Sequence, residues 1–281
     1  MNCRKLCRTL RCAALCLLAV LLFCGAASAR EPALAVYFFD AGKADAILLT
    51  TENSAVLIDA GGKGFGKEIL SYCAENGIEK LDYLIVTHFD KDHVGGAARV
   101  INQLPVGQVL QSNCPQNSDE CENYREALRK AGLEPVTVRE ELRFTLDDVI
   151  FTVDPPRLEI YAKDPSNNSS LIVSVSCGVC RLLFTGDAEN ARLSEWLAGN
   201  PGEYDLVKMP HHGNWQRTLE PLLEETHPSL AVITSSLEKP ESAKTLELLE
   251  CLSVRTLLTR EGPVLLRCDG NSLVPVPVEA P

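Results

Sequence analysis

Short apolar runs recur along this chain, each ending in a polar or glycine-containing turn. Between many of them, apolar residues fall at three- and four-residue spacing instead. The runs predict strands at Ala33 to Phe39, Ala46 to Thr50, Ser54 to Ile58 and Leu81 to Thr87. Further strands are expected over 144–153, 171–176, 181–185, 206–209, 230–234, 254–258 and 263–267. The wider spacing predicts helices near 66–76, where Ile69, Leu70 and Cys73 share a face, and near 96–103, 122–131, 191–197, 218–224 and 241–252. Many short strands separated by helices suggest a layered αββα arrangement, although the same pattern fits an open α/β sheet. No internal repeat or low-complexity linker interrupts it.

The first 29 residues follow another pattern. Arg4, Lys5, Arg8 and Arg11 precede the apolar stretch Ala13 to Phe23, and Ala27-Ser28-Ala29 supplies small residues. This is the layout of an export signal cleaved near Ala29, and its apolar part is short for a membrane span. Leu21-Leu22-Phe23-Cys24 also has part of a lipoprotein signal, so a lipid anchor is the alternative. The expectation is a secreted or extracytoplasmic protein, joined to a membrane only through this leader or a lipid. Residues 30–281 then form a single domain, long enough for a substantial core.

The formal charge of −11, from 38 acidic against 27 basic side chains, would repel a polyanion globally. A nucleic-acid ligand would need cations or a local basic patch. Of the twelve cysteines, those at 73, 114, 121, 177, 180, 251 and 268 lie beyond the leader. In an exported protein they predict disulfides. Cys114 with Cys121 is the first expected pair. Cys177 with Cys180, across a predicted hairpin, reads as a local disulfide, a pair of thiols or a redox pair.

Chemistry concentrates where the Leu81 to Val86 run ends. His88, Asp90, Asp92 and His93 offer four ligands within six residues, followed by Gly95-Gly96, which would permit a turn. A polar surface turn could hold such residues by chance. Yet the chain has five histidines in all, and two fall in this segment. Imidazole and carboxylate so close together suit a divalent cation. Two more segments follow apolar strands, Phe184-Thr185-Gly186-Asp187 and Met209-Pro210-His211-His212-Gly213. Asp187 reads as a carboxylate bridging two cations, and His211 or His212 as a ligand on the far side.

In this order, the segments resemble the metallo-β-lactamase superfamily, and within it the nuclease-like domain of the bacterial DNA-uptake (competence) channel protein. Asp40 to Ala46, Leu57 to Gly61, Thr87 to Gly96, Asn167 to Leu171, Phe184 to Asp187 and Lys208 to Gly213 carry the likeness. It implies an α+β fold, the four-layer αββα metallo-β-lactamase sandwich, over residues 30–281. It also implies two divalent cations, zinc or manganese. His88 and Asp90 would hold the first, and Asp92, His93 and His211 the second, with Asp187 between them. Asp90 stands where most of the superfamily has histidine, and Asn167 to Ser170 lie where others bring another, so the first site should be weak for zinc and tolerant of manganese. Asp45 and Asp59 would orient ligands from behind.

The implied activity is that of a metal-dependent hydrolase, cleaving a phosphodiester or nucleic acid with metal-bound hydroxide. Asp90, Asp187 and His212 are the candidate catalytic residues, and Lys43 and Lys208 the candidate phosphate contacts. Two departures bear on nuclease activity. Gly42-Lys43-Ala44-Asp45 replaces the usual Gly-Gln-Gly-Asp, and Ser235 to Pro240 lacks the usual downstream histidine. The alternatives are a lactone, thioester or β-lactam hydrolase, and a catalytically inactive secreted binding protein. No stable protein partner is indicated.

Overall fold

The computed structural model describes residues 34–113 and 116–278; the predicted leader and Cys114 lie outside them. The first half of the chain supplies strands β1 (Leu34–Phe38), β2 (Ala46–Thr50), β3 (Ala55–Ala60), β4 (Leu81–Val86), β5 (Val106–Gln111) and β6 (Val136–Thr137) to one sheet. The second sheet takes β7 (Leu142–Leu146), β8 (Val149–Asp154), β9 (Ile172–Cys177), β10 (Cys180–Phe184), β11 (Leu206–Lys208), β12 (Leu230–Ile233) and β13 (Arg255–Leu258). The chain then returns to the first sheet as β14 (Val264–Cys268), antiparallel to β1, and β15 (Leu273–Val276).

Each sheet begins as an antiparallel meander and continues with parallel strands. These are β3 to β6 in the first sheet and β10 to β13 in the second. Parallel strands need crossovers, and the helices provide them. α1 (Gly66–Glu75), α3 (Ala97–Gln103) and α4 (Asp119–Ala131) cover the first sheet, with the single turn α2 (Lys91–Val94) after β4. α5 (Asn190–Leu197), α6 (Leu219–Thr226) and α7 (Ala243–Cys251) accompany the second. The fold is the αββα sandwich.

Both faces of the central strands are covered, which explains the continuous apolar runs. In β2, Ile47 and Leu49 join Phe38, Val173, Val175 and Phe184 between the sheets, whereas Ala46 and Leu48 pack outward with Ile69, Val100 and Tyr124. A second outer cluster places Leu183, Val207 and Ile233 against Leu193, Leu222 and Leu249. Burying one such large aliphatic or aromatic side chain contributes about 1.5–3 kcal/mol.

Several boundaries depart from the sequence reading. The run 144–153 is two strands, because Asp147 (φ 45°) and Asp148 (φ 69°) make a left-handed turn between β7 and β8. Thr51 Oγ1 and the Asn53 N–H donate to Asp147 at 2.6 and 2.9 Å and hold that turn. β5 was not anticipated: Gly107, Gln108 and Gln111 dilute its apolar signal, and pairing with β4 and β6 defines it. α4 starts earlier than its apolar spacing predicts, since Ser118 caps it by accepting from the Cys121 N–H at 3.2 Å.

The expected disulfides are absent among the described residues: Cys73, Cys121, Cys177, Cys180, Cys251 and Cys268 are thiols. Cys121 is buried, and its Sγ donates to the Phe89 carbonyl oxygen at 3.4 Å; its expected partner, Cys114, lies outside the described residues. Among these residues, no helix is long and apolar enough to cross a membrane.

Candidate metal centre

The carboxyl ends of parallel strands from both sheets meet at one edge, the usual place for a ligand in α/β architecture. β3 carries Asp59 as its penultimate residue, β4 delivers Thr87 and His88, β10 leads to Asp187, and β11 leads through Lys208 to the histidine pair. The α2 turn brings Asp92 and His93 back over the centre. Its glycines serve closeness rather than turning. Gly95 and Gly96 have ordinary negative φ of −59° and −88°. A Cβ on Gly96, however, would lie 2.1 Å from the Ala60 carbonyl oxygen, and one on Gly95 2.4 Å from that of Lys91. The histidine pair turns in left-handed conformation, His211 at φ 48° and His212 at φ 54°, followed by Gly213 at φ 74°. Such non-glycine residues cost about 1–3 kcal/mol each and persist where the surroundings fix them. Here the His211 N–H is tied to the Gly186 carbonyl oxygen at 3.2 Å.

Three buried histidines are presented by hydrogen bonds of one design. Asp59 accepts from the Thr87 N–H at 2.8 Å, from Thr87 Oγ1 at 2.6 Å, and faces His93 Nδ1 at 2.7 Å. Because the Thr87 hydroxyl proton goes to Asp59, its oxygen is left to accept from His88 Nδ1, 3.2 Å away. On the other side Thr234 Oγ1 donates to Asp45 at 2.6 Å and accepts from His212 Nδ1 at 3.0 Å. Each ring therefore carries its proton on Nδ1 and directs the Nε2 lone pair to the centre.

His88 Nε2, His93 Nε2, His212 Nε2 and Asp187 Oδ1 are buried and make no hydrogen bond. Orphaned polar atoms this deep are costly unless something coordinates them. They fall into overlapping ligand sets, His88–His93–Asp187, Asp92–His93–His212 and Asp45–Asp187–His212, with ligand atoms within 4.8 Å of one another. Asp187 lies between, its Oδ1 3.3 Å from His93 Nε2 and its Oδ2 3.2 Å from His212 Nε2. The donor set fits a dinuclear site for divalent cations.

Charge balance supports that fit. Burial alone would lower the His212 pKa, but Asp187 and Asp45 push it up to about 10. His93 is likewise raised, as Asp187 and Asp59 outweigh burial. Burial would raise Asp187, which the two imidazoles hold well below the carboxylate range. The carboxylates thus draw positive charge to the centre, a place that divalent cations would take over from the ring protons.

A sequence profile of the metallo-β-lactamase superfamily matches residues 40–233, spanning every ligand just described. The chain belongs to this superfamily. ComE operon protein 3 of Bacillus subtilis is 27% identical over 251 residues, 81% of this chain and 32% of the relative. Recombination protein 2 of Haemophilus influenzae is 29% identical over 215 residues, 75% of this chain and 25% of the relative. The chain thus spans about a quarter to a third of these curated relatives. Among solved structures, the metallo-β-lactamase fold protein YhfI from Bacillus subtilis superposes with a TM-score of 0.60 at 12% identity, over 85% of this chain and 100% of that one. That likeness concerns the fold. Membership and the ligand sets together indicate a metal-dependent hydrolase.

Within this superfamily site, the structure brings together His88, Asp92, His93 and Asp187, with Asp45 and Asp59 behind them. It separates the histidine pair differently from the sequence reading. His211 was expected to close the second site and His212 to move protons. His212 is instead the buried ring at the centre, 3.6 Å from Asp92 Oδ2, while the quarter-exposed His211 turns its Nδ1 to Glu189 Oε1 at 2.9 Å. His211 Nε2 still lies 3.9 Å from Asp187 Oδ2, so the two consecutive left-handed residues set the first ring along the open border of the centre and the second inside it.

Lys208, expected to meet a phosphate, is wholly buried. Its ammonium pairs with Asp45 Oδ2 and donates to the Gly186 carbonyl oxygen at 3.1 Å, so no substrate reaches it. Asp90 lies at the mouth, half-exposed, with Ser166 Oγ donating to its Oδ1 and His88 Nε2 3.8 Å from its Oδ2. Lys43 reaches Asn214 Oδ1 at 3.0 Å beside the same mouth.

Thr87, Thr234, Ser166 and Glu189 escaped the sequence reading. Thr87 precedes the ligand cluster and Glu189 follows Asp187 by two positions, so both had a positional signal. Thr234 had none, since its role arises from contact with Asp45 across 189 positions. Ser235 and Glu241 occupy the region of the missing downstream histidine, joined at 2.7 Å. A cavity of about 700 Å³ lined by Tyr37, Tyr72, Lys80 and Arg267 holds none of the ligands.

Proposed function

We propose that this chain is a phosphodiesterase of the nuclease kind, acting outside the cytoplasm on a nucleic-acid strand. The observation that carries the reading is Lys43. Its ammonium is held by Asn214 at the open side of the centre, near enough to His211 to add to the burial that lowers that ring's pKa. A fixed cation there suits a non-bridging phosphoryl oxygen and offsets, locally, the acidic surface. Relatives named for competence and recombination support the same substrate class.

Bound divalent cations, zinc or manganese, would lower the pKa of water, neutralise phosphoryl charge and assist the leaving oxygen. His88, His93, Asp92, Asp187 and His212 would hold them through the lone pairs described. Asp59 and Asp45 keep the ring protons on Nδ1, so that Nε2 stays available. Lys43 orients the phosphodiester. His211, oriented by Glu189 through Nδ1, presents Nε2 as the proton carrier on the exposed side.

The test is to incubate purified protein with Mn²⁺ or Zn²⁺ and offer single-stranded DNA, a simple chromogenic phosphodiester, a lactone, a thioester and a β-lactam. Cleavage of DNA and the phosphodiester, abolished in H88A, D92A and H212A, is the expected result. Full metal loading with turnover only of lactone, thioester or β-lactam would replace this reading by carbonyl hydrolysis. Loading with no turnover at all would leave a secreted binding protein.

A further inference from the structure

We propose that Cys268 and Cys177 are a disulfide site that joins the two sheets at the end of the sandwich opposite the metal centre. The site is built from three strands. Cys177 ends β9 and Cys180 begins β10, and their Cα atoms are partners across the hairpin, so both thiols enter the core between the sheets. Cys268, the last residue of β14, enters the same core from the first sheet. All three are buried, between 0 and 2% exposed.

The Cys268 thiol donates to the Cys177 carbonyl oxygen at 3.6 Å and accepts from the Gly270 N–H at 3.4 Å. Backbone contacts lock the two turns together. The Val179 N–H donates to the Gly270 carbonyl oxygen at 2.8 Å, and Gly178, at φ +60°, approaches so closely that a Cβ there would lie 2.1 Å from that oxygen. A sulfur from each sheet is thus held at a fixed junction that other residues keep from drifting apart.

The thiols are also unequal in acidity. Contact with Cys177, opposed by burial and helped by the Gly270 N–H, brings the Cys268 thiol down to about 6, whereas Cys177 is pushed up by the same contact and by burial. Burial first, then contact with Cys268, pushes Cys180 up to about 12. The Gly270 N–H, donating to its sulfur at 3.4 Å, favours the Cys268 thiolate, so Cys268 is the attacking sulfur when the strand ends open locally to a small oxidant. Its thiolate attacks a small disulfide oxidant, forming a mixed disulfide and releasing one thiolate. Cys177, on losing its proton, attacks the Cys268 sulfur and releases the second. Two electrons pass to the oxidant, and the two thiol protons end on its released thiols. Three cysteines used only as small apolar fillers would make no such bond.

The full chain is to be incubated with oxidised glutathione under native conditions, its remaining thiols alkylated after denaturation, and the unreduced digest sequenced by tandem mass spectrometry. The expected product joins the Cys177 segment to the Cys268 segment, in wild type and equally in C180S, which also separates Cys177 from its neighbour in the same peptide. Oxidised wild type should melt above the reduced form, and C268S should lose that difference. If C268S does not fold, mapping of wild type and C180S decides. Full alkylation of Cys268 after oxidation, or a Cys177–Cys180 or Cys180–Cys268 link in its place, overturns the assignment. The outcome is independent of whether the centre cleaves phosphodiesters.

Discussion

The two sides of the metal centre are built differently. On the closed side Asp45, Asp59, His93, Asp187, Lys208 and His212 are at most 2% exposed, and hydrogen bonds or ion pairs from neighbouring strands hold each of them. On the open side Asp90, Asp92, His211 and Glu189 are half-buried. Desolvation explains the division of labour. A buried, orphaned lone pair favours a cation strongly, because nothing else satisfies it, whereas a half-exposed carboxylate can be satisfied by water. The closed side should therefore fix how many cations bind, and the open side what is done with them.

The largest effect should come from breaking the closed side's ion pair. Lys208→Met leaves Asp45 buried beside a hydrogen-bonded threonine and the His93 and His212 imidazoles, and removing one partner of a buried pair costs about 3–5 kcal/mol. That is a large share of a typical domain's roughly 5–15 kcal/mol. Chemical denaturation should show the loss, and the double variant K208M/D45N should recover part of it. A K208M protein as stable as wild type would mean that Lys208 does not balance Asp45.

Next comes the bridge. Asp187 sets one oxygen beside His93 Nε2 and the other beside His212 Nε2, so Asp187→Ala should lower bound metal more than His212→Ala, which removes a single nitrogen donor. Both should reduce turnover by more than about 100-fold, the upper end of what outer positions cost. Elemental analysis with full metal in D187A would defeat the bridging role. The comparison also sharpens the histidine pair: His212→Ala should shed metal, and His211→Ala should retain it.

A smaller loss is expected behind the ligands. Asp59→Ala leaves His88, Asp92, His93, His212 and Asp187 in place but frees the His93 ring and the Thr87 hydroxyl. Metal affinity should fall about 10–100-fold, measured by competition with a chelator. Unchanged affinity would mean that the tautomer is fixed without Asp59.

The contrast between the sides also explains what the sequence disclosed. The layers were legible because both faces of the central strands are covered, which leaves unbroken apolar runs, and because helices fill the parallel crossovers. The cluster from His88 to His93 was legible because one turn contributes several ligands. His211 and His212 could not be separated, since which ring faces inward is decided by two left-handed backbone conformations that residue type does not announce. Lys208 was misread for a similar reason: a lysine at a strand end is ordinarily solvated, and only the fold brings Asp45 from the first sheet to meet it.

The mildest expected effect is at the mouth. Lys43 contacts Asn214 rather than any ligand of the centre, so Lys43→Ala should leave metal content and stability unchanged within about 0.5 kcal/mol, as for most surface substitutions. If it contacts the phosphodiester equally in ground and transition states, the variant should raise KM with kcat nearly constant. The rise should shrink as salt increases, because an exposed charge is screened over about 8–10 Å near physiological ionic strength. A fall in kcat at constant KM would instead place Lys43 on charge that develops in the transition state. It would also move the boundary between the two sides, since a residue of the mouth would then act directly in the chemistry.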